Sequence, residues 1–187
     1  KTVVALYALL MAVADRKQGA LMAPTELLAE QHFASIQQML EGSNVRLGLL
    51  TSGQAPANSN ERAALLRQIE RGELDIVIGT HALVSQQVRF HDLALAVIDE
   101  QHRFGVVQRA GFRSTQERGD EAGENDERSP AQVPHYLVMT ATPIPRTLSL
   151  TLFGDLDVST IRGLPPGRTP IINRVVGPDD SDKVYGY

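Results

Sequence analysis

Cysteine is absent from all 187 residues, which excludes disulfides, thiolate zinc sites and cysteine nucleophiles and fits a reducing compartment. Long hydrophobic runs are missing as well. No stretch approaches the roughly 20 apolar residues that a membrane-spanning helix needs. The first residues show no basic leader followed by an apolar stretch and a small-residue cleavage site, so no secretory signal is read there. An excess of positive charge is also lacking. The net charge is -4, the opposite sign to that of a typical nucleic-acid binder. That charge is concentrated. Between Thr115 and Pro130 six acids (Glu117, Asp120, Glu121, Glu124, Asp126, Glu127) face Arg118 and Arg128, a local balance of -4 that leaves the rest of the chain neutral. A neutral remainder can carry a basic face, but bulk charge gives DNA binding no support. There is no internal repeat. There is also no initiator methionine and no capping residue ahead of the first helical pattern, which leads to the expectation of a fragment whose natural N-terminus lies upstream.

What is present is an ordinary globular composition, 42% hydrophobic and 21% charged, in a length that suits one domain or one domain plus part of another. Val3, Leu6, Leu10 and Val13 recur at helical spacing and predict a helix from Thr2 to about Ala14, followed by a turn over Asp15 to Gly19. Ala20 to Ala23 reads as a buried strand stopped by Pro24. Thr25 caps a helix over Glu26 to Leu40. Val45 to Leu50 is a strand, Glu61 to Arg71 a helix closed by Gly72, and Asp75 to Gly79 a third strand. Leu93 to Ile98 and His135 to Met139 follow as strands, with a helix between them over Phe104 to Phe112. A helix over Ile144 to Phe153 and a sixth strand over Val158 to Ile161 complete the pattern. Strands alternating with helices predict an α/β fold, a parallel sheet with helices on both faces. In such sheets ligands sit outside the carboxyl ends of the strands. Pro24-Thr25, Gly79-Thr80-His81, Asp99-Glu100 and Thr140-Ala141-Thr142 all fall there. Gly163 to Arg168 reads as a linker, with 163–187 as linker and start of a following domain and 1–162 as the first.

Chemistry is concentrated at those strand ends. An apolar strand that ends on Asp99 and Glu100 brings two carboxylates together, which is costly without a cation. A Mg²⁺ on nucleotide phosphates meets that need: one carboxylate holds the metal and the other polarises an attacking water. The same pair also suits a plain strand end or helix cap. Lys1-Thr2 at a helix start matches the tail of a phosphate-binding loop, in which lysine reaches phosphates and the hydroxyl reaches Mg²⁺; the preceding glycines are absent from this chain. Thr140 and Thr142 can link a nucleotide site to a nucleic-acid track, or cap a helix. Pro24-Thr25 and Thr80-His81 offer hydroxyls and backbone amides suited to a DNA backbone, or again to capping. Arg103, Arg109, Arg113 and Arg146 are candidate anion contacts whose default role is solvated. His32 and His91 have no neighbours at ligand spacing and read as packed or solvent-facing.

Together these segments resemble superfamily 2 helicases over nearly the whole chain. Lys1-Thr2 resembles the end of motif I, and Ala23-Pro24-Thr25-Glu26-Leu27-Leu28-Ala29-Glu30-Gln31-His32 resembles motif Ia. Gly79-Thr80-His81-Ala82-Leu83 is similar to motif Ib, Asp99-Glu100-Gln101-His102 to motif II in its DExH form, and Thr140-Ala141-Thr142 to motif III. Arg103-Phe104-Gly105-Val106, Pro143-Ile144-Pro145-Arg146-Thr147, Gly154 to Ser159 and Leu164 to Pro170 resemble the RecG branch of branch-migrating helicases. The transcription-repair coupling factors share part of this neighbourhood but usually carry Glu where this chain has Gln101.

The resemblance implies a RecA-like P-loop NTPase sheet, here N-terminally truncated, with an acidic insertion at about 115–132. It implies an ATP-driven DNA motor with Mg²⁺ as cofactor, acting on stalled replication forks and Holliday junctions. Lys1 would meet the phosphates. Thr2 and Asp99 would hold Mg²⁺, and Glu100 would be the general base. Gln101 and His102 would join Thr140 and Thr142 in sensing the γ-phosphate, and Pro24, Thr25, Thr80 and His81 would face DNA. It further implies a monomer in the bacterial cytoplasm on nucleoid DNA, single-stranded-DNA-binding protein as a partner, and no membrane. The missing glycines and second motor domain lead to the expectation of negligible ATPase from the fragment alone, since an arginine finger contributes about 10³–10⁵ in related phosphoryl transfer. A coupling-factor-like translocase, an RNA helicase and a non-catalytic nucleotide- or DNA-binding module are the competing readings.

Overall fold

A computed structural model describes residues 1–52, 60–99, 133–141 and 157–161. The chain divides into two compact units, Lys1–Phe153 and Gly154–Tyr187. The regular elements described all lie in the first.

Helix α1 (Thr2–Ala14) is apolar almost all round, so it buries Ala5, Leu6, Leu9 and Ala12 and still leaves Val3, Val4, Tyr7 and Met11 exposed. It stops where Arg16 takes a left-handed conformation, φ 60°. The amides of Arg16 and Lys17 fold back onto the carbonyls of Val13 and Ala12, closing the helix end. Strand β1 (Gln18–Met22) follows, wholly buried and starting earlier than the apolar run from Ala20 predicts. Gln18 is the reason. Its Nε2 donates to the carbonyls of Ile69 at 3.1 Å and Leu74 at 2.8 Å, and its Oε1 accepts from the amides of His91 at 2.7 Å and Asp92 at 3.3 Å. Every hydrogen-bonding position of the side-chain amide is filled, so a polar residue sits in the core without penalty.

Helix α2 (Glu26–Met39) is capped by Thr25, whose hydroxyl accepts from the Leu28 amide at 3.3 Å. Strand β2 (Leu47–Leu50), helix α3 (Asn60–Glu70), strand β3 (Ile76–Gly79) and a short 3-10 helix (His81–Val84) come next. Gly72, at φ 68°, ends α3 as its position predicts. Strands β4 (Leu93–Asp99) and β5 (His135–Met139) complete the sheet. Val158–Ile161 does not form the expected strand. Residues 157–161 carry no regular structure, and Val158 and Ile161 are 70% and 76% exposed. Alternating apolar residues make a strand only where a neighbour takes up their backbone groups. The helices expected over 104–112 and 144–153 lie outside the described residues.

Among the described residues the sheet has five parallel strands, in the order β2-β3-β1-β4-β5. Alternation along each strand splits the core into two layers. Ala20, Met22, Val77, Ala96 and Ile98 pack on the face covered by Ile69 of α3. Leu21, Ile76, Ile78 and Val97 pack on the opposite face with Leu6 and Leu9 of α1 and Ile36 of α2. Helices therefore cover both faces, as the sequence pattern predicts. The registers Leu50↔Gly79, Met22↔Gly79, Met22↔Ile98 and Asp99↔Met139 bring the five carboxyl ends to one edge. Gly79 permits this alignment: a Cβ there would stand 2.1 Å from the Leu50 carbonyl oxygen. No helix among the described residues is long and apolar enough to cross a membrane.

At the opposite edge Arg46 grips Asp75 through its backbone amide and guanidinium, with Nη2 at 2.7 Å and Nε at 3.1 Å from the carboxylate. Burial alone pushes the Asp75 carboxyl up, but the hydrogen bonds and charge of Arg46 outweigh it and hold the group below its ordinary value. A depressed carboxylate stabilises the fold above its unfolded value, about 3.9, and loses that contribution as the pH falls through the folded value. Asp75→Asn is therefore expected to lower stability at pH 7 by about 0.5–1 kcal/mol, as for an exposed pair. The deficit should shrink once the pH drops below about 4. Urea midpoints measured from pH 7 to pH 2.5 check this; a deficit constant across that range would assign the effect to packing.

Candidate nucleotide and DNA site

Residues expected to serve the nucleotide gather at the carboxyl ends of β4 and β5. Asp99 closes β4 in register with Met139, and Thr140 directly follows β5. Lys1, at the head of α1, donates its ammonium to the Thr140 carbonyl. Three segments far apart in sequence thus meet at one corner of the sheet. Thr2 opens α1 half-buried. Glu100, Gln101, His102, Thr142, Arg103, Arg109, Arg113 and Arg146 lie outside the described residues.

Residues expected to face DNA occupy the same edge over the adjoining strands. Pro24-Thr25 follows β1 and Thr80-His81 follows β3. Thr25 is exposed, Pro24 is half-buried and His81 is exposed. Thr80 is 2% exposed, and its hydroxyl accepts from the Ala82 amide to cap the 3-10 helix. The capping roles weighed for both threonines are thus realised; Thr25 remains exposed, whereas Thr80 is enclosed. The residues expected to serve the nucleotide thus lie over β4 and β5, and those expected to face DNA over β1 and β3.

His32 corrects the reading of it as merely packed or solvent-facing. Its Nε2 lies 2.8 Å from Asp99 Oδ2, across 67 residues of sequence. Both side chains are largely enclosed, at 12% and 13% exposure. A carboxylate accepts only, so the ring nitrogen carries the proton in this bond. No local spacing announces the contact; it arises because α2, packed over β2 and β3 on the sheet face that also carries Val97, brings His32 across to the end of β4. His91, by contrast, is exposed and stands against Gly72.

Among the described residues no group of three or more acidic or histidine side chains forms a closed metal cage. The donors that are present suit Mg²⁺, which keeps several waters and binds through one or two carboxylates plus phosphates. Asp99 at the end of β4 is such a donor, and Thr2 opens α1, whose N-cap residue Lys1 reaches the same corner. A separate groove lined by Phe33, Gln37, Leu40, Val45 and Leu47 lies toward the far end of α2 and the amino end of β2. It is on the opposite edge from the strand ends where ligands sit in parallel sheets.

The DEAD/DEAH box helicase family profile matches residues 1–151. The chain belongs to the DEAD/DEAH box helicase family. Within it, this helicase domain is 44% identical to the ATP-dependent DNA helicase RecG of Treponema pallidum (strain Nichols) over 187 residues, all of this chain and 26% of that protein. It is 49% identical to RecG of Haemophilus influenzae over 176 residues, 94% of this chain and 23% of that protein. The solved structure of RecG bound to a three-way DNA junction superposes with a TM-score of 0.71 at 36% identity, over 98% of this chain and 22% of that one. The helicase domain thus spans about a quarter of the length of these relatives. The expected RecA-like sheet agrees with this family.

Proposed function

We propose that this domain is the first motor of an ATP-dependent DNA helicase or translocase of RecG type, remodelling stalled forks and Holliday junctions in recombination and repair. The observation that carries this is the meeting of Lys1, Asp99 and Thr140 at one sheet corner, with Thr25 and His81 on the adjoining strand ends. In this reading residues 1–162 are the first motor, with an acidic insertion at about 115–132, and 163–187 lead into a second.

Bound Mg²⁺·ATP supplies the transferable phosphoryl group and the charge neutralisation around it. Lys1, which donates to the Thr140 carbonyl, would bind the β- and γ-phosphates. Asp99 and Thr2 would hold the metal. Glu100, the next residue after β4, takes the proton from the attacking water. Gln101 and His102, with Thr140 and Thr142, report the state of the γ-phosphate toward the DNA half of the edge. Pro24 and Thr25 meet the DNA backbone at the start of α2, and His81 does so at the 3-10 helix that Thr80 caps. Branched DNA is the partner that the RecG relatives support. In this reading the protein acts as a monomer on nucleoid DNA in the cytoplasm, with single-stranded-DNA-binding protein as a partner.

The test is ATP turnover by the longer protein that contains this domain, with three-way junction DNA, linear duplex and structured RNA as stimulants. The expected order is junction above linear duplex, with RNA near the basal rate. Stimulation by RNA alone would favour an RNA helicase, and no nucleotide-dependent response would favour a non-catalytic module.

A further inference from the structure

We infer that His32 is a positioning residue for Asp99, fixing the carboxylate so that its remaining lone pairs face the metal of a bound nucleotide. This rests on the reading of Asp99 as a Mg²⁺ ligand. Asp99 closes a buried strand, and a carboxylate at 13% exposure needs hydrogen bonds to stay charged. His32 supplies one at 2.8 Å, the length of a charge-assisted bond. An aspartate side chain swivels about its terminal torsion unless one oxygen is held. With Oδ2 engaged by the imidazole, that rotation is set.

The place of His32 in the fold gives the contact meaning beyond stability. It lies seven residues beyond Thr25 on α2, about 10 Å along the helix axis at 1.5 Å per residue. One rigid helix therefore begins at the DNA half of the edge and holds the metal-binding carboxylate at the nucleotide half. Outer partners of metal ligands act in this way generally, and losing one weakens metal affinity about 10–100-fold.

The experiment titrates Mg²⁺ against a fluorescent, non-hydrolysable ATP analogue bound to the longer protein. His32→Ala is expected to weaken the apparent Mg²⁺ affinity about 10–100-fold while leaving Mg²⁺-free nucleotide affinity unchanged. His32→Gln, whose amide nitrogen reaches the place of Nε2, should recover most of the loss; His32→Asn, which is too short, should not. This pair carries the comparison should the alanine variant fail to fold, as judged by its melting temperature. Asp99→Asn separates the two readings. If Asp99→Asn leaves the Mg²⁺ titration intact, Asp99 is not the metal ligand and the reading of the site fails. If Asp99→Asn removes the Mg²⁺ response while all three His32 variants titrate like the wild type, the positioning role is overturned. Equal loss of nucleotide affinity with and without Mg²⁺ in the folded His32 variants would overturn it too.

Discussion

Glu100→Gln in the longer protein is expected to lower ATP hydrolysis by about 10²–10⁴-fold, the usual contribution of a positioned general base, while nucleotide affinity stays within about twofold. The asymmetry follows from position. Asp99, the last residue of β4, stands beside Met139 and Thr140 at the corner reached by Lys1, so in the proposed site nucleotide binding has its cation and its metal ligand without Glu100. The next carboxylate is left to act on water. Converting it to an amide keeps its size and polarity but removes its capacity to accept a proton. A rate loss of 10³ corresponds to about 4 kcal/mol in the barrier, far more than a surface carboxylate contributes to folding. Single-turnover hydrolysis and equilibrium binding of a nucleotide analogue, measured on the same preparation, separate the two quantities. Parallel loss of both would make Glu100 a structural residue.

The second large effect lies in the core, away from the chemistry. Gln18→Leu is expected to destabilise the domain by roughly 3 kcal/mol or more. Gln18 is 4% exposed and serves two carbonyls and two amides at once. The leucine is close in volume but leaves those four groups without their partner, and each buried group left unpaired costs about 1–3 kcal/mol. The damage spreads because the partners sit at the end of α3, ahead of β3 and ahead of β4. Loosening them releases the starts of the strands whose far ends carry Thr80 and Asp99. The urea midpoint of the 187-residue chain at unchanged slope reads the effect. A loss below about 1 kcal/mol would mean that water substitutes for the amide.

Gln18 also shows where reading the sequence stops. A polar residue after Arg16-Lys17 looks like part of a turn. Its burial depends on partners at Ile69, Leu74, His91 and Asp92, which no local pattern connects. His32 is the same case within the site: its partner is 67 residues away, and its helical neighbourhood gives no sign of it. Features with a local cause were legible. The bounds of α1 and β5 follow from apolar spacing, the end of α3 from Gly72, and the cap of α2 from Thr25. The two-layered core was legible because strand alternation assigns Leu21 and Met22 to opposite faces. Val158 and Ile161 mark the other limit, since apolar alternation without a neighbouring strand produced none. Of the site, the clustering at strand ends could be read because parallel topology forces it. Which of those strand ends adjoin one another required the strand order.

The most direct test of the central claim is where a nucleotide binds. A crystal structure of the longer protein with Mg²⁺ and a non-hydrolysable ATP analogue should place the β- and γ-phosphates at the head of α1, within reach of Lys1 Nζ, with the metal beside Asp99 and Glu100 at the end of β4. A nucleotide found instead at the amino edge of the sheet, in the groove of Phe33, Gln37 and Val45, with Lys1 still on Thr140 and no metal at Asp99, would contradict the account.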